Sequence, residues 1–187
     1  ITPDAPMPAT ACYLQAKTGL VNAACFDIAA ACSGFVYALD IARQYILAGT
    51  AKKVVVVGVD KMSAIIDWQD RGTCVLFGDG AGAVVLERGS GKSRGIVATS
   101  MLTDGTMSSL LRIEAGGSAM PLTEELMKAR KQYLVMEGNL VFKHAVRSMH
   151  EVSEMVLAKA GLKAEDIAWV VPHQANKRII AALGEKL

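Results

Sequence analysis

One cysteine in this sequence has the local surroundings of a nucleophile. Cys32 lies in "DIAAACSGF", after a short apolar run and at the predicted start of a helix. A helix N-terminus carries about half a unit of positive charge on its unpaired N–H groups. That field favours thiolate over thiol, so we expect it to lower the pKa of Cys32, and the same N–H groups can stabilise an oxyanion. The alternative is a small core residue, since isolated cysteines are often buried.

A thiol nucleophile needs a proton acceptor or an electrostatic partner. His144 and His150 fall beside the apolar stripe of a long predicted helix, so we expect them at its surface or boundary. His173 ends the predicted strand "IAWVVPHQ". Catalytic groups and ligands gather at the carboxyl ends of strands in α/β sheets. Cys32 and His173 together are therefore the predicted reactive pair.

The elements that would position this pair alternate between strands and helices. Apolar spacing predicts helices over 9–19, over 32–47, along the stripe from Val141 to Ala160, and after a cap at Asn176 with Ile179, Ile180 and Leu183 facing inward. Apolar and β-branched runs predict the strands "ACFDIAAA", "KKVVVVGVD", "GAGAVVLER", "GIVATSML" and "IAWVVPHQ". This alternation predicts an α/β architecture with a largely parallel sheet, in which "KKVVVVGVD" is fully buried.

The polar run "GSGKSR", Gly89–Arg94, is the predicted linker between two such halves. Residues 1–88 would then carry the nucleophile and residues 95–187 the histidine. The glycines of "GDGAGA" do not predict a dinucleotide site, because they lead into a strand rather than opening a helix. We expect them to permit a tight turn and close packing instead.

Composition limits the classes of protein that fit. The 187 residues are 52% apolar and 20% charged with a net charge of +2, which favours a well-packed globular enzyme over a nucleic-acid-binding protein. The longest run of β-branched aliphatic residues is Val54–Val57, and no apolar run in the sequence is long enough to span a membrane. The cysteines show no CxxC spacing, so we expect no metal site, and their apolar surroundings favour reduced thiols in the cytoplasm, with Cys12, Cys25 and Cys74 as core residues.

Four segments in order carry a resemblance to a known family: "DIAAACSGFVYAL", "DRGTCVLFGDGAGAVVLE", "MEGNLVFKHAV" and "VVPHQANKRII". Together they resemble β-ketoacyl-acyl-carrier-protein synthase III of the thiolase superfamily. The resemblance implies a thiolase-like fold of duplicated βαβαβ halves in α-β-α-β-α layers, normally a homodimer. The family's "GNTS"-type asparagine and an early aromatic residue have no match here, so the fold is expected to be incomplete at both ends and this stretch alone inactive.

The resemblance also implies roles for individual residues. Cys32 would accept an acyl group from acetyl-CoA or another acyl-CoA, and His173 would support decarboxylation of malonyl-acyl carrier protein, as in the condensing enzyme that starts type II fatty-acid synthesis. The matching positions for coenzyme A and its phosphopantetheine channel are Arg71, Gly138, Phe142 and Asn176. Those for the carrier protein are Gln174, Ala175, Asn176, Lys177 and Arg178. No metal or organic cofactor is implied.

Other functions remain open at this stage. A related synthase could make polyketide, alkylquinolone or olefin precursors with the same fold. A non-catalytic acyl-carrier-binding homologue would have no need of a thiol at a helix start. A Cys–His hydrolase would need an activated water, which no residue identifies.

Overall fold

The computed structural model describes residues 1–89 and 95–187, which form two compact units. The described residues of the first unit are 1–62 and 79–89, and those of the second are 63–78 and 95–187. Apart from Gly89, the predicted linker lies outside the described residues. The division into domains 1–88 and 95–187 stays a prediction, and segment 63–78 packs with the second unit.

The first unit consists of two helices and two strands: α1 (Thr10–Thr18), α2 (Gly34–Leu47), β1 (Lys53–Asp60) and β2 (Gly80–Glu87). α1 ends where predicted, because Gly19 adopts φ 70°, a left-handed conformation that favours glycine. α2 packs on β1, and the buried side chains between them are Ala42, Ile46 and Val56. Phe35 of α2 lies directly against Gly58 of β1, where a Cβ would be in ordinary van der Waals contact with the ring at 3.4 Å.

The sheet of the first unit differs from the predicted one. β1 and β2 pair antiparallel, with Val56 opposite Val84 and Lys53 opposite Glu87, and an ion pair of 3.0 Å joins Lys53 to Glu87. β1 is not fully buried, because its side chains alternate and only Val56 is buried. The glycines of β2 lie in extended strand without positive φ, so the expected tight turn and close packing are not seen there.

The second unit consists of α3 (Glu124–Lys128), α4 (Gly138–Ala160), α5 (Lys177–Gly184) and the antiparallel strands β3 (Leu111–Ile113) and β4 (Leu134–Met136). α4 confirms the predicted long helix, with its apolar stripe half-buried and its end at Gly161, where φ is 67°. α5 packs on α4 and buries Ile179 and Leu183, whereas Ile180 is exposed rather than inward-facing. The buried apolar side chains of this unit are Ile66, Ala115, Leu134, Val146, Ile179 and Leu183.

Three predicted strands do not form: those over 24–31, 95–102 and 167–174. A strand needs hydrogen-bonded neighbours, and the described residues supply none for these runs. The predicted burial of the last run is also wrong, since Trp169 is 87% exposed and Val171 82% exposed. Both sheets among the described residues are antiparallel pairs, so the largely parallel sheet is not present in them. Within the described part of the chain, no helix has the length and apolarity that crossing a bilayer requires.

Candidate active site

Cys32 lies in a sharp turn immediately before α2. The turn is a short 3₁₀ segment, Ala31–Ser33, and α2 itself begins at Gly34 rather than at Cys32. Ala31 has φ 45°, a left-handed conformation that L-residues with a Cβ adopt at a cost. The side chain of Cys32 is exposed. The predicted placement of a reachable thiol at a helix start is therefore present in the first unit.

The electrostatic surroundings of Cys32 differ from the expected ones. Desolvation by the surrounding protein raises the pKa of the thiol, and the negative charge of Asp60 raises it further, while a backbone N–H acts in the opposite direction. Although the residue has exposed surface, the protein around it removes enough water to disfavour the thiolate. The predicted lowering of this pKa is wrong for this chain. The resting form near neutral pH is the protonated thiol, so a nucleophilic step needs an acceptor for its proton.

The segment that leads into Cys32 is held in place by side-chain hydrogen bonds and not by pairing with a neighbouring strand. The Asp27 carboxylate accepts hydrogen bonds from the N–H groups of Thr10 at 2.6 Å and Ala11 at 2.9 Å. It thereby satisfies two unpaired donors at the start of α1 and places negative charge at the positive end of that helix. The Gln15 side chain donates to the carbonyl of Ala23 at 2.7 Å. These contacts tie residues 23–27 to α1.

Arg71 lies in a loop of the second unit that two aspartates shape. The Asp70 carboxylate accepts the N–H of Gly72 at 2.9 Å and the hydroxyl of buried Thr73 at 2.5 Å. The Asp67 carboxylate pairs with Arg130, whose Nε lies 2.6 Å from Oδ2. This hydrogen bond is the main reason that the pKa of Asp67 is lowered to about 2. The loop is fixed at both aspartates, and the side chain of Arg71, which directly follows Asp70, is exposed.

His173 follows an irregular, exposed run rather than a strand, and is itself exposed. The prediction that His173 ends a strand is therefore wrong. The Gln174 amide donates to the carbonyl of Pro172. Asn176 is the predicted helix cap, and its Oδ1 accepts the N–H of Ile179 at 3.0 Å. His173 thus lies three residues before a capped helix start.

The starts of α4 and α5 bring several predicted residues of the second unit together. The guanidinium carbon of Arg178 lies 5.5 Å from the centre of the Phe142 ring, which is cation–π geometry. Gly138 is the first residue of α4 and is exposed. Ala175 is half-buried and Lys177 exposed. A predicted channel residue, Phe142, is therefore in contact with a predicted carrier-binding residue, Arg178.

Sequence reasoning missed the residues that support these positions. Asp60 raises the pKa of Cys32 and the Asp67–Arg130 pair holds the loop of Arg71, and no local pattern marks these residues. Arg130 lies 63 residues from Asp67, so only the fold reveals their contact. Asp27 lies 17 and 16 positions after the N–H groups whose hydrogen bonds it accepts, so its contact with α1 is also visible only in the fold.

Comparison with models of protein families identifies the family of this chain. The family model described as 3-oxoacyl-[acyl-carrier-protein (ACP)] synthase III matches residues 26–105, and the model of the same family's C-terminal part matches residues 157–187. The chain belongs to this family. The resemblance noted from the four sequence segments is thereby confirmed.

Known relatives are similar to this chain in sequence and structure along nearly its whole length. β-Ketoacyl-[acyl-carrier-protein] synthase III of Roseiflexus sp. (strain RS-1) is 50% identical over 186 residues, which cover 100% of this chain and 56% of the relative. The crystal structure of 3-oxoacyl-[acyl-carrier-protein] synthase III from Aquifex aeolicus VF5 has a TM-score of 0.87 at 49% identity and covers 98% of this chain and 55% of its own. These similarities confirm the thiolase-like α/β fold class. The chain spans about half the length of the curated relatives it matches.

The solved structure of an enzyme from a polyketide pathway is also similar to this chain. The priming β-ketosynthase from the R1128 polyketide biosynthetic pathway has a TM-score of 0.86 at 34% identity, and the match covers 100% of this chain and 55% of the synthase. Synthases III and this priming enzyme therefore share the fold of these residues, and the fold alone does not choose between them.

Proposed function

We propose that this chain is part of a condensing enzyme that starts type II fatty-acid synthesis. The observation that carries the proposal is the exposed Cys32 thiol in the turn before α2, in a chain 50% identical to a β-ketoacyl-[acyl-carrier-protein] synthase III. Cys32 is proposed as the acyl acceptor and His173 as the group that supports condensation. Since the relatives are nearly twice as long, the activity is proposed for the whole protein.

The first half-reaction is an acyl transfer. The sulfur of Cys32 attacks the thioester carbonyl of acetyl-CoA, a new C–S bond forms, and the bond to the coenzyme A sulfur breaks. The proton of the Cys32 thiol ends on the coenzyme A thiolate that leaves. One thioester replaces another, so the step stores little free energy. Because the pKa of Cys32 is raised, a base must take up the thiol proton before it is passed on.

The second half-reaction is a decarboxylative Claisen condensation. Malonyl-acyl carrier protein loses CO2, and negative charge develops on its thioester oxygen. An N–H donor at that oxygen is worth roughly 3–4 kcal/mol of barrier, by analogy with other oxyanion holes. His173 is proposed to donate this hydrogen bond. The resulting carbanion attacks the acyl carbonyl on Cys32, the thioester to Cys32 breaks, and β-ketoacyl-acyl carrier protein is released.

The binding residues are proposed from the family and from their exposure. Arg71, Gly138, Phe142 and Asn176 are assigned to coenzyme A and the phosphopantetheine channel. Residues 174–178 are assigned to the carrier protein, with exposed Lys177 and Arg178 giving favourable charge toward an acidic partner. The contact between Arg178 and Phe142 supports this assignment, because it joins the carrier-binding segment to the channel. A cytoplasmic homodimer without a resident metal or organic cofactor completes the proposal.

The two half-reactions can be separated in the full-length protein. His173→Ala is expected to retain transfer of the acetyl group to Cys32 and to lose condensation with malonyl-acyl carrier protein. Cys32→Ser is expected to lose both. His144→Ala is the matched control, since this histidine lies on α4 and should leave both steps unchanged. Equal loss of both half-reactions in His173→Ala would show that the histidine has another role.

A polyketide-priming enzyme is the second candidate, favoured by the 34% identity to the R1128 priming β-ketosynthase. Both candidates use the same thiol, so labelling of Cys32 does not separate them. Comparison of kcat/KM for condensation with a malonyl-acyl carrier protein of fatty-acid synthesis and with one of polyketide synthesis does. Preference for the fatty-acid carrier protein supports the first candidate, and preference for the polyketide carrier protein supports the second.

A further inference from the structure

Two other thiols of the first unit lie next to each other. Cys12 is in α1, and Cys25 is in the run that leads into Cys32. Their sulfur atoms are 3.6 Å apart, with the Cys25 thiol donating to the Cys12 sulfur. Both residues are half-buried rather than fully in the core as the sequence predicted. The two residues are 13 positions apart, so the contact comes from the fold and not from neighbouring positions in a helix.

The backbone on both sides of this thiol pair is already fixed. On one side, the Gln15 side chain bonds to the Ala23 carbonyl at 2.7 Å. On the other side, the Asp27 carboxylate bonds to the first N–H groups of α1. A disulfide requires the sulfurs to approach from 3.6 Å to about 2.0 Å. A shift of this size is within the reach of side-chain rotation, and the fixed backbone keeps the two thiols close until it occurs.

We propose that Cys12 and Cys25 are a redox-sensitive dithiol that closes to an intrachain disulfide under oxidising conditions. The oxidant is a low-molecular-weight disulfide such as oxidised glutathione. One cysteine thiolate attacks the disulfide and releases one glutathione thiolate; the second cysteine thiolate then attacks the mixed disulfide and releases the other. The two cysteines lose two electrons and two protons, and the glutathione disulfide gains them.

The other two cysteines do not fit this role. Cys74 belongs to the second unit. Cys32 is exposed in the turn before α2 and is the proposed acyl acceptor, an assignment that rests on the proposed function. The Cys12–Cys25 pair does not depend on that assignment, because it follows from the sulfur–sulfur distance and the fixed backbone alone.

Closure would also constrain the segment before Cys32. The disulfide joins α1 directly to the run 23–30 and reduces the conformational freedom of the unfolded chain. We expect the midpoint of thermal unfolding to rise by about 5 °C on oxidation. The hydrogen bond from Cys25 to Cys12 is the main cause that raises the pKa of the Cys25 thiol. Oxidation should therefore become faster as the pH rises, because the thiolate is the attacking form.

The test uses the full-length protein with oxidised glutathione, blocking of remaining thiols with N-ethylmaleimide, and peptide mass spectrometry without reduction. Trypsin cleaves after Lys17 and after Arg43, which separates Cys12 from Cys25. The expected product is a disulfide between the peptide that ends at Lys17 and peptide 18–43. Since peptide 18–43 also contains Cys32, the deciding sample is the Cys32→Ser variant, in which the cross-link should persist in full.

The matched variants are Cys12→Ser and Cys25→Ser, in which we expect no cross-link and no oxidation-dependent thermal shift, and Cys74→Ser, in which both should persist. A cross-link that disappears in Cys32→Ser would overturn the proposal, and so would a mixed disulfide with glutathione at Cys25 that never resolves. Acetyl labelling of Cys32, measured separately in the reduced protein, reports on the proposed function. The two proposals can therefore fail independently.

Discussion

Replacement of Asn176 by alanine should loosen the start of α5 by a predictable amount. Asn176 has extended backbone, with φ −164° and ψ 160°, and its Oδ1 accepts the Ile179 N–H at 3.0 Å. Loss of such a cap costs about 1–2 kcal/mol. The upper part of this range is expected because Ile179 is only 4% exposed, so water replaces the lost acceptor poorly. A cost of this size makes local opening of the helix start roughly 5- to 30-fold more frequent.

The assay is amide hydrogen exchange of the first turn of α5 in the full-length protein. Asn176→Ala should exchange roughly 5- to 30-fold faster at Ile179 than the wild type. Asn176→Asp is the matched control, because a carboxylate keeps the acceptor and is favourable at a helix N-terminus. The Asp variant should retain wild-type protection. Like the Ala variant, it should nevertheless lose activity if the Asn176 amide also contacts the coenzyme A or phosphopantetheine chain as proposed.

Two outcomes would refute this reasoning about the cap. The first is unchanged protection of Ile179 in Asn176→Ala. The second is a loss of protection in Asn176→Asp as large as that in Asn176→Ala, since that result would mean that the side-chain oxygen is not the stabilising group. Full activity of the Asp variant would leave the cap intact and remove the proposed substrate contact.

Other contacts in the two units give further expected outcomes. Ile66→Ala should lower the free energy of unfolding by about 2–5 kcal/mol in urea titration, because Ile66 is only 1% exposed. The pKa of Asp67 is about 2 in the folded protein, below its ordinary 3.8, so its stabilising contribution is complete above about pH 4 and is lost as the pH falls toward 2. Arg130→Met should reduce that acid-dependent loss, measured as unfolding free energy against pH, and the backbone N–H of Gln69 should keep a smaller part of it. Since Ala31 has φ 45°, Ala31→Gly should keep acylation of the following thiol, whereas Ala31→Val should reduce it and destabilise the turn, measured by acetyl incorporation and thermal unfolding.

The helices were predictable because their signals are local. α1 and α4 end at Gly19 and Gly161, which adopt the left-handed conformation that glycine tolerates best. α5 begins after the side-chain cap at Asn176, as its sequence indicates. The positions at which these helices begin and end depend on residues within a few positions of each other, so a single sequence is enough to predict them.

The strands were less predictable because each depends on a partner elsewhere in the chain. The apolar content of 167–171 indicates a buried strand, yet no described segment pairs with it and Trp169 is 87% exposed. The antiparallel register of β1 with β2 was also not readable, since β-branched residues favour either orientation.

In the candidate site, too, features set by neighbouring residues were predictable and features set by distant residues were not. The turn that presents Cys32 and the cap before α5 follow from local sequence. The raised pKa of Cys32 depends on how much protein surrounds the thiol and on Asp60, which is 28 positions away along the sequence. The contact of Cys12 with Cys25 likewise requires α1 to pack on the run before the turn.

Mass-spectrometric mapping of the acetyl group tests the central claim most directly. The full-length protein is incubated with acetyl-CoA in the absence of malonyl-acyl carrier protein, quenched in acid and digested with trypsin. We predict one acetyl thioester in peptide 18–43, assigned to Cys32 by fragmentation, absent from Cys32→Ser and retained in Cys25→Ser. An acetyl group on any other residue, or no adduct with any acyl-CoA, would contradict the account.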